Sequence, residues 1–143
     1  MAITYENVID RVIDGVSDLL ATEFPGTGIY FDEIRGNSFL ILPGGDEYIS
    51  SFAMGQAREY TLEIIYELRV EILSKSKFKE LTNIIERIKR LFAPDNNSNY
   101  SPSGTYKWHD GRITSIDYSR DEESPEILRA ILTFQCVITE TTS

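Results

Sequence analysis

Residues 58–73 read REYTLEIIYELRVEIL, with Tyr60, Leu62, Ile64, Tyr66, Leu68, Val70 and Ile72 on every even position. The odd positions carry Glu59, Thr61, Glu63, Glu67, Arg69 and Glu71, Ile65 being the exception. An apolar period of two predicts a strand with one face in a core and one in water. At roughly 3.3 Å per residue such a run spans on the order of 45 Å. A compact chain of this length is only about 37 Å across. Residues 126–140 repeat the pattern, with Leu128, Ala130, Leu132, Phe134, Cys136 and Ile138 on one face, and are expected to lie beside the first run. Strands of this length imply strong coiling, a projecting hairpin arm, or a sheet completed by another copy. Because a long unpaired edge templates aggregation, self-association is the expectation.

The other elements follow from shorter signals. Val8, Ile9, Val12, Ile13, Val16, Leu19 and Leu20 recur at helical spacing and predict a helix over 4–22. Thr4 is its expected N-cap and Phe24-Pro25-Gly26 its stop. Residues 27–34 and 37–42 read as short strands joined in a hairpin through Arg35-Gly36, the second broken at Pro43-Gly44-Gly45. Residues 46–57 read as a connection. A second helix is predicted over 75–92, its apolar stripe formed by Phe78, Leu81, Ile84, Ile85, Ile88, Leu91 and Phe92. The run APDNNSNYSPSGT, 93–105, has little to bury and reads as a mobile loop. KWHDGR, 107–112, reads as a turn around Asp110-Gly111, followed by a strand over 112–119 and an acidic turn over 120–125. The order α-β-β-β-α-β-β predicts an α+β class: a mostly antiparallel twisted sheet with two helices packed on one side. One domain over 1–143 is expected, with mobile loops at about 44–57 and 93–106.

Composition narrows the function classes. Of 143 residues, 41% are apolar and 26% charged, which fits a globular chain rather than a disordered one. No apolar run is long enough to span a bilayer, and MAITYENVID has no basic stretch, so neither membrane insertion nor a secretory signal is expected. The lone Cys136 excludes an internal disulfide and fits a reducing compartment. The net charge of −9 is unevenly placed: residues 1–72 hold thirteen acids and four bases, residues 73–143 ten of each. Asp10, Asp14 and Asp18 line one face of the first helix, while Lys75, Lys77, Lys79, Arg87, Lys89 and Arg90 populate the second. An acidic chain is a poor match for nucleic acid, whose affinity comes from neutralised phosphates.

Candidate chemistry is sparse. His109 stands next to Asp110, but neighbours in a strand point to opposite faces and no nucleophile is tied to them by spacing, so His109 reads as a turn residue beside a half-buried Trp108. Cys136, among the apolar residues of its strand, reads as a buried inert thiol. The Asp10, Asp14 and Asp18 row has the chemistry to attract a hard cation, yet it runs along the helix rather than converging, which favours a solvated face or a contact with a basic partner. Phosphate-loop, dinucleotide and zinc signatures are absent. No catalytic, cofactor-binding or metal-binding residue is expected, nor enzyme activity. Interaction material is present: Tyr48, Ile49, Phe52 and Met54 read either as the centre of an interface or as a plug over the chain's own sheet. Glu59, Glu63, Glu67 and Glu71 on the polar strand face, Lys89 and Arg90, and Asp10, Asp14 and Asp18 complete the candidates for subunit or partner contact.

The helix TYENVIDRVIDGVSDLL, the strand REYTLEIIYELRVEIL, the helix KFKELTNIIERIKRLF and the tail WHDGRITSIDYSRDEESPEILRAILTFQCVITE together resemble the tail-terminator, or tail-completion, proteins of long-tailed bacteriophages. The likeness covers nearly the whole chain and is one of element order, without a short diagnostic motif. It implies a structural protein of the virion tail, assembled in the host cytoplasm, whose copies form a ring, commonly a homohexamer. Such a ring caps the tail tube, joins it to the neck and connector proteins, and passes DNA without binding it specifically. A neck or connector protein, a non-viral binding or adaptor module, and an enzyme of unrecognised α+β type remain alternatives.

Overall fold

The first helix, α1 (Val8–Glu23), starts where Asn7 accepts a hydrogen bond from the Asp10 backbone N–H, one of the donors that a helix start leaves unpaired. This describes the chain in a computed structural model covering residues 7–53, 55–70, 74–93, 96–101, 107–120, 123 and 127–141. The expected cap Thr4 lies outside the described residues. The second helix, α2 (Lys75–Leu91), is capped by Ser74, whose side chain accepts from the Lys77 N–H.

Among the described residues, five strands form one sheet: β1 (Ile29–Tyr30), β2 (Ser38–Phe52), β3 (Gly55–Arg69), β4 (Trp108–Arg120) and β5 (Ile127–Thr141). Their spatial order is β1-β2-β3-β5-β4, and every pairing except β1 with β2 is antiparallel. The two strands with period-two patterns are neighbours along their whole length, from Gly55 opposite Thr141 to Arg69 opposite Ile127. The element order and the mostly antiparallel α+β class match the sequence expectation. The five-stranded sheet has two helices, which pack on one of its faces.

That face is the core. Tyr60, Leu62, Ile64, Tyr66 and Leu68 of β3 and Leu128 through Ile138 at even positions of β5 are buried beneath Val12, Val16 and Leu20 of α1 and Leu81, Ile85 and Ile88 of α2. Aromatic pairs tie the layers: Phe24 to Phe39 at 5.3 Å between ring centres, and Phe92 to Phe134 at 4.8 Å.

Several local expectations fail, each for a physical reason. The segment before β2 is no hairpin, because only Ile29–Tyr30 forms a strand and it runs parallel to β2. Asn37 instead takes a left-handed conformation (φ 54°) and its side chain accepts from the Arg69 N–H. Pro43-Gly44-Gly45 does not end β2 either. A bulge between Pro43 and Gly45, with Gly45 at φ 137°, absorbs the proline, which an edge strand tolerates because it needs no outward N–H. Residues 46–57 are therefore no loop; they form the distal half of a β2–β3 hairpin in which Phe52 pairs with Gly55. In β4, Asp110 (φ 54°) marks a bulge within a continuous strand rather than a turn between strands, and Trp108 is fully buried rather than half-buried. The described part of the 93–106 segment is tied down as well. The Asn96 and Asn97 side-chain amides donate to the carbonyls of Arg90 and Leu91, and the Asn97 carbonyl accepts from Trp108 Nε1 at 3.0 Å. Asparagines that look like loop filler are caps for the end of α2.

Candidate assembly surface

The β2–β3 hairpin carries the most exposed apolar material. Tyr48 and Ile49 are about half exposed (53% and 48%), as is Phe52. They do not fold back as a plug over the sheet. Met54 lies outside the described residues. The hairpin is anchored at its root: Arg58 of β3 bridges to Asp46 of β2 at 2.5 Å, and hydrogen bonding to Asp46 strengthens the guanidinium's hold on its proton. Next to this pair, Tyr60 donates its hydroxyl proton to Glu140. Burial raises the Glu140 carboxyl above its ordinary value, partly offset by Gln56 and Arg58. Between this polar root and the start of α1 lies an open cleft reached by Asn7 and Ile9.

The sheet face away from the helices is less acidic than its sequence suggests. Glu67 is buried, with 1% of its side chain exposed, and its carboxylate is bonded by Arg129 at 3.0 Å and by Arg69 at 3.2 Å. The expectation of a solvated Glu67 is corrected by that pairing, which answers the cost of burying a charge. Glu59 is bonded by Arg112 of β4 at 3.1 Å. Glu63 is exposed, and Glu71 lies outside the described residues.

On the helices the charge rows lie as expected. Asp10, Asp14 and Asp18 are exposed and make no ion pair among the described residues. Partial burial, then repulsion from Asp10 and Asp18, raises the Asp14 carboxyl. Lys89 is bonded to Glu86 at 2.6 Å, and Arg90 makes no ion pair among the described residues. Arg87 bridges to Glu23 at the end of α1 and covers the Phe24 ring at 4.2 Å. Sequence reasoning did not single out that contact, since it joins residues far apart in the chain.

His109 is exposed and Cys136 is fully buried, its thiol pushed far up in pKa by burial. Among the described residues no His, Cys, Asp and Glu group is arranged to hold a metal, and no helix is long and apolar enough to cross a membrane. The geometry brings together an exposed apolar hairpin and two oppositely charged helix faces. It does not bring Asp10, Asp14 or Asp18 into contact with Lys89 or Arg90 within one chain.

No protein family and no curated protein matches the sequence. Among solved structures, a chain from the virion of a native gene transfer agent (GTA) particle superposes with a TM-score of 0.55 at 11% identity. The match covers 95% of this chain and 100% of that one. At so low an identity the likeness is one of fold, and the chain shares its fold with that virion chain over nearly its whole length.

Proposed function

We propose that this chain is a structural subunit of a phage-like virion, and more narrowly a tail terminator whose copies close as a ring on the tail tube and join it to the neck. The observation that carries the reading is the end-to-end correspondence with a virion chain, 95% of one and 100% of the other. The exposed Tyr48, Ile49 and Phe52 supply apolar surface suited to an interface. A ring needs a heterologous interface, one patch meeting a different patch, and the acidic α1 and basic α2 provide two unlike patches. On this reading the protein performs no catalysis. Its helix-free sheet face retains Glu47, Glu63 and Asp117 as acids without an ion-pair partner among the described residues, which suits a wall past which DNA moves without being held. Electron microscopy of the concentrated protein is the test. Annular particles, or caps on the ends of added tail tubes, are the expected result; protein that forms neither overturns the reading.

A further inference from the structure

We propose that copies of this chain join edge to edge, β2 of one against β4 of the next, in one continuous antiparallel sheet. The inference rests on the assembly reading above and names the surfaces that carry it.

The two outer strands of the sheet are long and open. β1 pairs only with Phe39 and Leu40, so the outer edge of β2 over 41–52 has no strand beside it among the described residues. The outer edge of β4 is met over 108–111 by backbone bonds to Ser98 and Tyr100, and over 112–120 it has no strand beside it among the described residues. Open edges on opposite sides of one sheet are a liability unless something covers them. Among the described residues, four of the six large apolar side chains that stand exposed lie on these two strands: Tyr48, Ile49 and Phe52 on β2 and Tyr118 on β4.

Strand polarity selects the pairing. β2, β3, β5 and β4 alternate in direction, so β4 runs opposite to β2. A rotation that preserves strand direction therefore sets β4 against the next copy's β2 in antiparallel sense. Four alternating strands per copy let a ring close without a parallel seam. The bulges agree: Pro43 on β2 and Ile113 on β4 both register with the Leu62–Phe134 pair, so both edges bend at one level.

Charge decides against the rival pairing of β2 with β2. That arrangement brings Asp46 and Glu47 toward their own copies, and like charges across strands destabilise. Against β4 the same acids meet no row of their own kind. Glu47 lies at the level of His109, reached through Glu59 and Val137, with Lys107 on one side and the Asp110–Arg112 ion pair on the other. The helices add a second complementarity. α1 packs over β2 and β3, and α2 over β5. Lys89 and Arg90 line a groove with Arg112 and Ile113 of β4. Edge joining therefore seats basic α2 beside the next copy's acidic α1, while the helix-free face forms the continuous inner wall.

Hydrogen exchange with mass readout, on the unmodified protein at increasing concentration, tests this. Backbone amides of 41–52 and 112–120 are expected to slow by at least about tenfold as the mass rises above one chain, because edge pairing closes N–H groups that water otherwise reaches. An oligomer whose β2 and β4 edges still exchange freely overturns edge joining and leaves the ring reading standing. A chain that stays single at every concentration overturns edge joining too. The virion reading then depends separately on whether the protein caps tail tubes.

Discussion

Arg129 on β5 and Glu67 on β3 face each other across two paired strands, Nη2 and Oε1 3.0 Å apart, with the carboxylate out of water. A buried carboxylate tolerates loss of a partner poorly, whereas an exposed partner contributes little. Arg129→Ala is therefore expected to cost about 3 kcal/mol, since it removes the two-pronged partner of a buried charge, and Arg69→Ala less than about 1 kcal/mol, because Arg69 is largely exposed. Urea midpoints of the two variants decide this; equal losses would mean that Arg129 is not the principal partner.

Glu140 gives stability a pH dependence. Burial raises its folded carboxyl above the ordinary 4.5, so folding favours the protonated form. Its contribution is fully present below that ordinary value and is lost as pH rises through the raised folded value. Glu140→Gln, which keeps an acceptor for Tyr60, is expected to raise the melting temperature at pH 7. The gain should shrink as pH falls through the raised folded value and be nearly gone below about 4.5, the ordinary value. A gain unchanged at pH 4 would contradict the assignment.

Cys136 is expected to resist thiol reagents at pH 8 while the protein is folded, because its thiol is fully buried and burial disfavours the thiolate. Modification should appear only with unfolding, in parallel with loss of the buried environment of Trp108, the single tryptophan. Rapid labelling of the native chain would show that the last strand opens locally.

The sequence made the long core strands legible because period-two burial leaves a mark at every second residue: β3 and β5 lie within a few residues of their expected bounds. The short-range signals were less faithful. Pro43-Gly44-Gly45 and Asp110-Gly111 carry turn chemistry, yet both sit in bulges held by strand partners that local sequence does not reveal. Glu67 looked like its neighbours Glu59 and Glu63; only the register that brings Arg129 alongside makes it a buried ion. Exposure at Tyr48 and Ile49 depends on what packs over the distal hairpin, which no local pattern records.

The hairpin and the basic helix are expected to act on assembly rather than on folding. Tyr48→Ser with Ile49→Ser, at half-exposed positions, should change monomer stability by less than about 0.5 kcal/mol while lowering the oligomer fraction. Arg90→Glu should also weaken association, most at low salt, where charge is least screened. Sedimentation velocity of both variants beside the parent checks this. Unchanged association would remove these residues from the interface.

The most direct measurement of the central claim is the solution mass of the purified chain by light scattering, across protein concentration and salt. A mass of several 16.3 kDa chains, growing with concentration and falling with salt, is expected. A mass of one chain at every concentration, with added tail tubes left uncapped, would contradict it.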